Sequence, residues 1–566
     1  MKKLLTKVLA SIVCAGALTG CTITVNSENN GGASSTPASQ ASSAASTQSS
    51  ENSQAPAESS KESQSAPASS SQTPAQSSQT PAESSQAPAQ SSQAPAQSSE
   101  QPATSIPDEP YTGKIEISFW HTFGKTLQDS ISKRITTFEK LIEDKEGVDV
   151  DIVLRYQGSY DDIHEKISKG FSTSNIPTIA VAYPDHVADY LQAEGTNLGK
   201  YVVQLDPYMN DEKIGFNKES FLGDDHDASD FVPAYLEEGQ QYLRNGTYSL
   251  PFLKSSEVMF YNKQGVTKAM TYYNPELASN STKLESFLKT MSWDEFMDFC
   301  ASINEHKSQI SSALEVPAFY DSDSNLFITK MYQNEIPYSH VDERGFGVID
   351  FKDGDNLSRA KEMVRALKAN YDAGLITTKG AFGTYGSNNF LAQKTLFSIG
   401  STGGAGYNFP SSEDFSVGVC RVPASNNNPI YVSQGPTLTL LKNPTDASNL
   451  SAQKIKYAWK FLKYITNAEV NTAICFDGSE GYMPVRTSAY ETDLFMDFME
   501  NEDEYSATAD VIISDIHNRF FNTAVFKGST VLRDQVGGII GDVFASGKSI
   551  DDAFKDAIDQ TTLAMD

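Results

Sequence analysis

Read by its hydrophobic and polar positions, the chain falls into three stretches. Val8 to Leu18 form an apolar run of about eleven residues behind Lys2, Lys3 and Lys7. That layout predicts a secretory leader, because a bilayer-spanning helix needs ~20 apolar residues. From Ser27 to about Pro110 the chain is Ser, Gln, Ala and Pro with almost no apolar bulk. From about Tyr111 a strong pattern begins. Ile115, Ile117 and Phe119 alternate as a strand that ends at Trp120-His121. Leu127, Ile131, Ile135, Phe138 and Ile142 then share one helical face. Val148, Val150, Ile152 and Leu154 alternate as a second strand, ending at Tyr156-Gln157-Gly158. Another helical stretch leads to the strand Ile179 to Ala182, which ends at Tyr183-Pro184-Asp185. This β-α-β-α-β series predicts an α/β fold with a largely parallel sheet and right-handed crossovers.

Later segments read as helix. Ser292 with Glu295 forms a capping box ahead of Phe296, Met297, Cys300 and Ile303. Ile455, Ala458, Trp459, Leu462 and Ile465 make a second apolar stripe. Ser549 with Asp552 opens a final helix carrying Ala553, Phe554, Ala557 and Ile558. A body running from about Tyr111 to Asp566 is too long for one core and suits two lobes.

The stretch before the body repeats every seven residues: Gln72 to Ser78, Gln79 to Ser85, Gln86 to Ser92 and Gln93 to Ser99. No position carries a large apolar residue, which excludes a coiled coil. A segment that buries so little cannot offset its ordering entropy, so a disordered tether is expected, with a typical reach of ~50 Å for ~80 residues.

Composition narrows the partners. A formal charge of -28 repels nucleic acid and anionic lipid, so neither is an expected partner. Cys300, Cys420 and Cys475 are odd in number and show no CxxC spacing, which argues against a disulfide scaffold or a zinc framework. Cys300 reads as buried filler. Cys21 is different. Leu18-Thr19-Gly20-Cys21, directly behind the apolar run, resembles the lipobox of bacterial lipoproteins. The resemblance implies removal of residues 1–20 and acylation of Cys21, which would hold the body at the outer face of a cell membrane.

Tests for catalysis mostly fail. There is no HExxH, GxSxG or Walker A loop, and none of the seven histidines lies four residues from another. Asp321-Ser322-Asp323-Ser324-Asn325 begins like a calcium loop, but Leu326 replaces the required glycine and Tyr332 the final glutamate. A solvated acidic turn is the expected reading. Ligands of open α/β sheets bind beyond strand carboxyl ends. That places Trp120-His121, Tyr156 to Tyr160, and Tyr183 with Asp185 at a candidate site. Aromatics beside Asp, Ser and Gln suit a polyol, whose C–H faces stack and whose hydroxyls must be paired. Paired carboxylates for glycoside hydrolysis stay open at this point.

Six ordered segments extend the picture. They are Phe119-Trp120-His121; Tyr156-Gln157-Gly158-Ser159-Tyr160; Leu250-Pro251-Phe252 through Ser255-Ser256 to Tyr261-Asn262-Lys263; Phe397 to Gly404; Gln434-Gly435 to Leu441 with the Trp459 helix; and Gly481-Tyr482-Met483-Pro484-Val485. Together they resemble the extracellular solute-binding proteins of carbohydrate ABC importers, the maltose-binding type, with the glycerol-3-phosphate-binding subgroup nearest. The resemblance implies a two-lobed type II periplasmic-binding-protein-like fold, each lobe a mostly parallel sheet flanked by helices. It implies lobe one over 111–253 plus 434–488 and lobe two over 254–433 plus 489–566, behind a tether at 21–110. Carried over by motif, Tyr160, Tyr183 and Asp185 should contact the ligand from lobe one. Ser255, Ser256, Ser401 and Thr402 should face them, with Gly435 and Tyr482 near the hinge and Trp120 and His121 at the wall.

Two departures bear on the ligand. The subgroup's glutamate after the third strand is replaced by Pro184, with Asp185 one residue out of register. Its phosphate-clamping arginine aligns with Val525, and Lys527 is the nearest cation. Lysine holds phosphate only as a point charge, so a neutral saccharide is favoured over glycerol phosphate. The expected protein is a monomeric binding component without enzymatic activity, cofactor or metal, which delivers an oligosaccharide or polyol to an ABC permease. The alternatives are a binder of glycerol 3-phosphate or a glycerophosphodiester and, from other classes, a secreted glycoside hydrolase or an adhesive surface protein.

Overall fold

The computed structural model describes residues 106–566 except 110, 196, 198, 217–226, 413, 478–480 and 517–518. The leader, Cys21 and the repeat-bearing tether lie outside the described residues. Among the described residues no helix is long and apolar enough to cross a membrane.

The first three strands form where alternation places them, at Ile115–His121, Val150–Tyr156 and Ile179–Ala182. Between them, helix Lys125–Glu146 buries Leu127, Ile131, Ile135, Phe138 and Ile142, the face read from the sequence. Helix Tyr160–Thr173 starts at a capping box in which Ser159 and Asp162 satisfy each other's backbone N–H. The first sheet runs in the order Val150–Tyr156, Ile115–His121, Ile179–Ala182, Thr437–Leu440, Leu250–Pro251. Its core gathers Ile117, Phe119, Phe138 and Trp459, the last fully buried in helix Ser448–Ile465 with its indole N–H on the Ile214 carbonyl at 3.0 Å.

The second sheet runs Val417–Arg421, Glu257–Asn262, Phe397–Ser401, Ala318–Tyr320, Ile376–Thr378. Its core includes Phe260, Phe296, Cys300 and Phe397, with Cys300 wholly buried as expected. The capping boxes at Ser292 and the cap at Ser549 open their helices as read. Mostly parallel sheets were expected. Both are mixed instead: two pairings in each are parallel and two antiparallel. The antiparallel partners in the first sheet are Thr437–Leu440 and Leu250–Pro251, which stand where the chain passes between sheets.

Three backbone segments make that passage side by side. Lys254 and Met483 exchange N–H···O bonds of 3.1 and 2.7 Å, and Ser255 and Gln434 exchange bonds of 2.9 and 3.0 Å. The crossings are thus laddered to one another by obligatory backbone groups.

Candidate functional site

A cavity of about 780 Å³ lies where the ends of both sheets meet the crossings. Its size falls within the ~300–1,000 Å³ usual for small-molecule sites. From the first sheet come Tyr183 and Asp185, held by helix Pro184–Ala193, whose first turn carries Asp185. The second sheet supplies Glu257, Asp321 and Ser401, all at strand ends. Glu238, Gln434 and Gly435 close the base at the crossings, and Arg533 enters from helix Ser529–Gly541.

The expected contacts separate into two groups. Tyr183, Asp185, Ser401 and Gly435 line the cavity. The others stand behind it or away from it. Tyr160 stacks on Tyr183 with ring centroids 4.3 Å apart, and burial raises the pKa of its hydroxyl. Ser255 accepts a bond from the Ser401 hydroxyl at 3.2 Å. Ser256 is buried and donates to the Val432 carbonyl at 2.9 Å, while buried Thr402 accepts from the Ser256 N–H at 3.3 Å. These hydroxyls fix the backbone of the crossing. Tyr482 packs against Gly403, where an added Cβ would sit 2.7 Å from the ring. Trp120 is buried among Ile163, Ile167 and Val187. His121 is wholly buried, accepts the Phe123 N–H at Nδ1, and stays neutral because burial lowers its pKa to about 4. Neither Trp120 nor His121 reaches the cavity.

Asp321 to Asn325 form no solvated acidic turn. Asp321 directly follows the buried strand Ala318–Tyr320, takes the Gly386 N–H at 2.5 Å and faces the cavity. Ser322 caps helix Asp323–Gln333 through the Asn325 N–H, and Asp323 accepts from Thr378 and Gly380. Arg533 supplies the late cavity arginine that the alignment with Val525 missed, although Val525 also lines the wall. Lys379, with its Nζ 4.0 Å from the Tyr385 ring centre, is a second cation. Tyr385 and Tyr407 stand at the wall 49% and 68% exposed, as aromatic faces open to a stacking partner. Strand-end logic applied to Ala318–Tyr320 would have found Asp321; no local motif marks Arg533.

The wall is rich in acceptors. Burial raises the Glu257 carboxyl to about 7, and Tyr320 and the Asn325 amide both donate to it. Burial likewise raises Asp321 to about 6. Glu238 is engaged at both oxygens, by Lys254 at 2.6 Å and Ser433 at 2.5 Å. Among the described residues no donor meets the buried side-chain oxygens of Asn408, Gln434 and Asn522, three more wall residues. Buried acceptors left unmatched are costly, so this surface suits a solute bearing many O–H or N–H groups. Among the described residues no group of three His, Cys, Asp or Glu side chains could hold a metal ion.

Solved structures share this architecture. The acarbose-binding GacH receptor of Streptomyces glaucescens matches with a TM-score of 0.55 at 18% identity, over 80% of this chain and 98% of that one. UgpB of Mycobacterium tuberculosis, solved with glycerophosphocholine, matches at 0.59 and 15%, over 80% and 99%. An ABC substrate-binding protein of Listeria monocytogenes, solved with cycloalternan, matches at 0.58 and 14%, over 80% and 99%. At such identities the likeness concerns the fold. No curated protein matches the chain. The family model for bacterial extracellular solute-binding proteins matches residues 133–502, a span that takes in the second sheet, every strand of the first except Ile115–His121, and all three crossings, and the chain belongs to that family.

Proposed function

We propose that the protein captures a neutral oligosaccharide or related polyol between two lobes and delivers it to an ABC permease. The lobes are 111–253 plus 434–488 and 254–433 plus 489–566. The observation that carries this reading is the acceptor-rich wall: the carboxylates of Asp185 and Asp321 and the amide oxygens of Asn408, Gln434 and Asn522, which have no donor among the described residues. Hydroxyl hydrogens of a sugar satisfy such groups, and its C–H faces stack on Tyr183, Tyr385 or Tyr407. Closure by differential contact with the second lobe needs no covalent step. Capture by a monomer, on a leash anchored through an acylated Cys21, completes the reading.

Arg533 and Lys379 favour a second reading, a glycerophosphodiester. Against it stand the wall carboxylates Asp185, Glu238 and Asp321, which repel a phosphate, while the fourth, Glu257, is about half protonated near neutrality. Four carboxylates also keep glycoside hydrolysis in view. Glu238 and Glu257, however, have both oxygens committed to protein donors.

A thermal-shift panel of maltodextrins, other neutral saccharides and glycerophosphodiesters tests these readings, with each mixture assayed for cleavage. A saccharide at 100 times its dissociation constant should add ~2.7 kcal/mol. A shift with phosphodiesters alone would replace the first reading with the second, and product release would replace both with an enzyme. Tyr160→Ala should weaken saccharide binding about threefold to tenfold by removing the ring beneath Tyr183; unchanged affinity would detach Tyr160 from the site.

The raised carboxyls give opposite pH trends for stability and binding. An acid whose pKa is higher in the folded state contributes stability that is present below its unfolded value and lost as pH rises through the folded one. With Asp321 at about 6 and Glu257 at about 7, the ligand-free protein should gain stability on acidification from pH 8 to 5.5. A hydroxyl donor prefers the ionised carboxylate, so saccharide affinity should fall about tenfold from pH 7.5 to 5 as Asp321 is protonated. Calorimetry across that range would show it, and flat affinity would remove Asp321 from the contact set.

A further inference from the structure

We propose that Glu238 is a positioning residue that clamps two of the three crossings together and joins them to the cavity, so that a bound solute acts on the hinge through it. The proposal rests on the reading of capture between two lobes. Glu238 ends helix Pro233–Glu238 and is only 7% exposed, yet it lines the cavity. One carboxylate oxygen takes the Lys254 ammonium from the first crossing, and the other takes the Ser433 hydroxyl from the second. Lys254 is completely buried, with its Nζ 5.2 Å from the Tyr235 ring centre.

A buried charge pair is a poor source of net stability, but it penalises any movement that separates the charges. Here such movement is sliding of either crossing against helix Pro233–Glu238. The backbone ladder joins the crossings to one another, and Glu238 fixes that ladder to the body of the first lobe. The solute side is equally direct. Gln434 follows Ser433, faces the same cavity, and its amide oxygen has no donor among the described residues. A solute hydroxyl that satisfies Gln434 therefore lands beside the Ser433–Glu238 bond, within the hinge itself.

Hydrogen exchange of the full-length protein, with no solute added, tests this. In Glu238→Gln the amides of Ser255 and Gln434 should exchange at least ~10-fold faster, because their mutual bonds lose the clamp, while strands Ile115–His121 and Phe397–Ser401 keep their rates. Equal acceleration everywhere would show that Glu238 merely supports the fold, and no acceleration at Ser255 and Gln434 would show that it clamps nothing; either overturns the proposal. If Glu238→Gln does not fold, Ser433→Ala removes only the hydroxyl link and should speed the same two amides about threefold, with an unchanged rate counting against the clamp. Because no solute is present, failure here leaves the capture reading standing, and a silent saccharide panel leaves this result intact.

Discussion

Asp321→Ala is expected to weaken binding of the tightest saccharide in the panel by roughly 10- to 100-fold, the ~1.5–3 kcal/mol of a hydrogen bond to a charged group. The residue directly follows the strand Ala318–Tyr320, and the Gly386 N–H fixes one of its oxygens, which leaves the other for the solute. Held in place before the solute arrives, the carboxylate loses little entropy on binding. The fold should survive, because removing a carboxyl whose ionisation burial already disfavours relieves about as much as the lost Gly386 bond costs. Asp321→Asn separates charge from shape. It keeps an acceptor, so it should lose less affinity than alanine, and it should abolish the decline between pH 7.5 and 5. Titration calorimetry on the two variants checks both statements. An alanine variant with wild-type affinity would mean that Asp321 faces the cavity without touching the solute.

Asp321 also shows where sequence reading stops. Tyr183 and Asp185 were legible because a clear β-α-β-α-β pattern leads to the end of Ile179–Ala182, and ligands gather at such ends. Ala318–Tyr320 is only three residues long, so no alternation marks it as a strand, and the Asp-Ser-Asp-Ser-Asn run after it looks like a solvent-facing turn. The same rule pointed to Trp120 and His121, but the neighbouring helix Tyr160–Thr173 buries Trp120, and Phe123 stacks over His121. Which strand ends stay open depends on tertiary packing. Arg533 was beyond reach for another reason: it stands on a late helix and meets Asn325, some two hundred residues earlier, only in the folded chain. The antiparallel strand Thr437–Leu440 was hidden likewise, since its direction is set by the chain's return through a crossing.

Gly435→Val should be the most damaging single substitution at the site, lowering stability by about 3 kcal/mol or more and the melting temperature by about 3 °C or more. Two constraints meet there. Its φ of +108° is a conformation that side-chain-bearing residues rarely adopt. An added Cβ would also lie 2.1 Å from the Leu253 carbonyl oxygen and 2.9 Å from the Lys254 Cα, backbone atoms that cannot rotate away. Gly147 separates the two costs. It ends helix Lys125–Glu146 at φ +67°, and nothing lies within 4 Å of its added Cβ, so Gly147→Ala should cost only ~1 kcal/mol of backbone strain. The difference between the variants, read from thermal melts, measures the close approach of the first and second crossings. Valine can be accommodated only if the Gln434–Gly435 backbone moves off Leu253, which would disturb the Ser255–Gln434 ladder and carry the Gln434 amide away from the solute. A Gly435→Val protein that still folds should therefore have lost saccharide binding as well. If it melts like Gly147→Ala and binds normally, the crossings are not packed closely enough for glycine to be required, and the role of Gly435 in shaping the hinge is refuted.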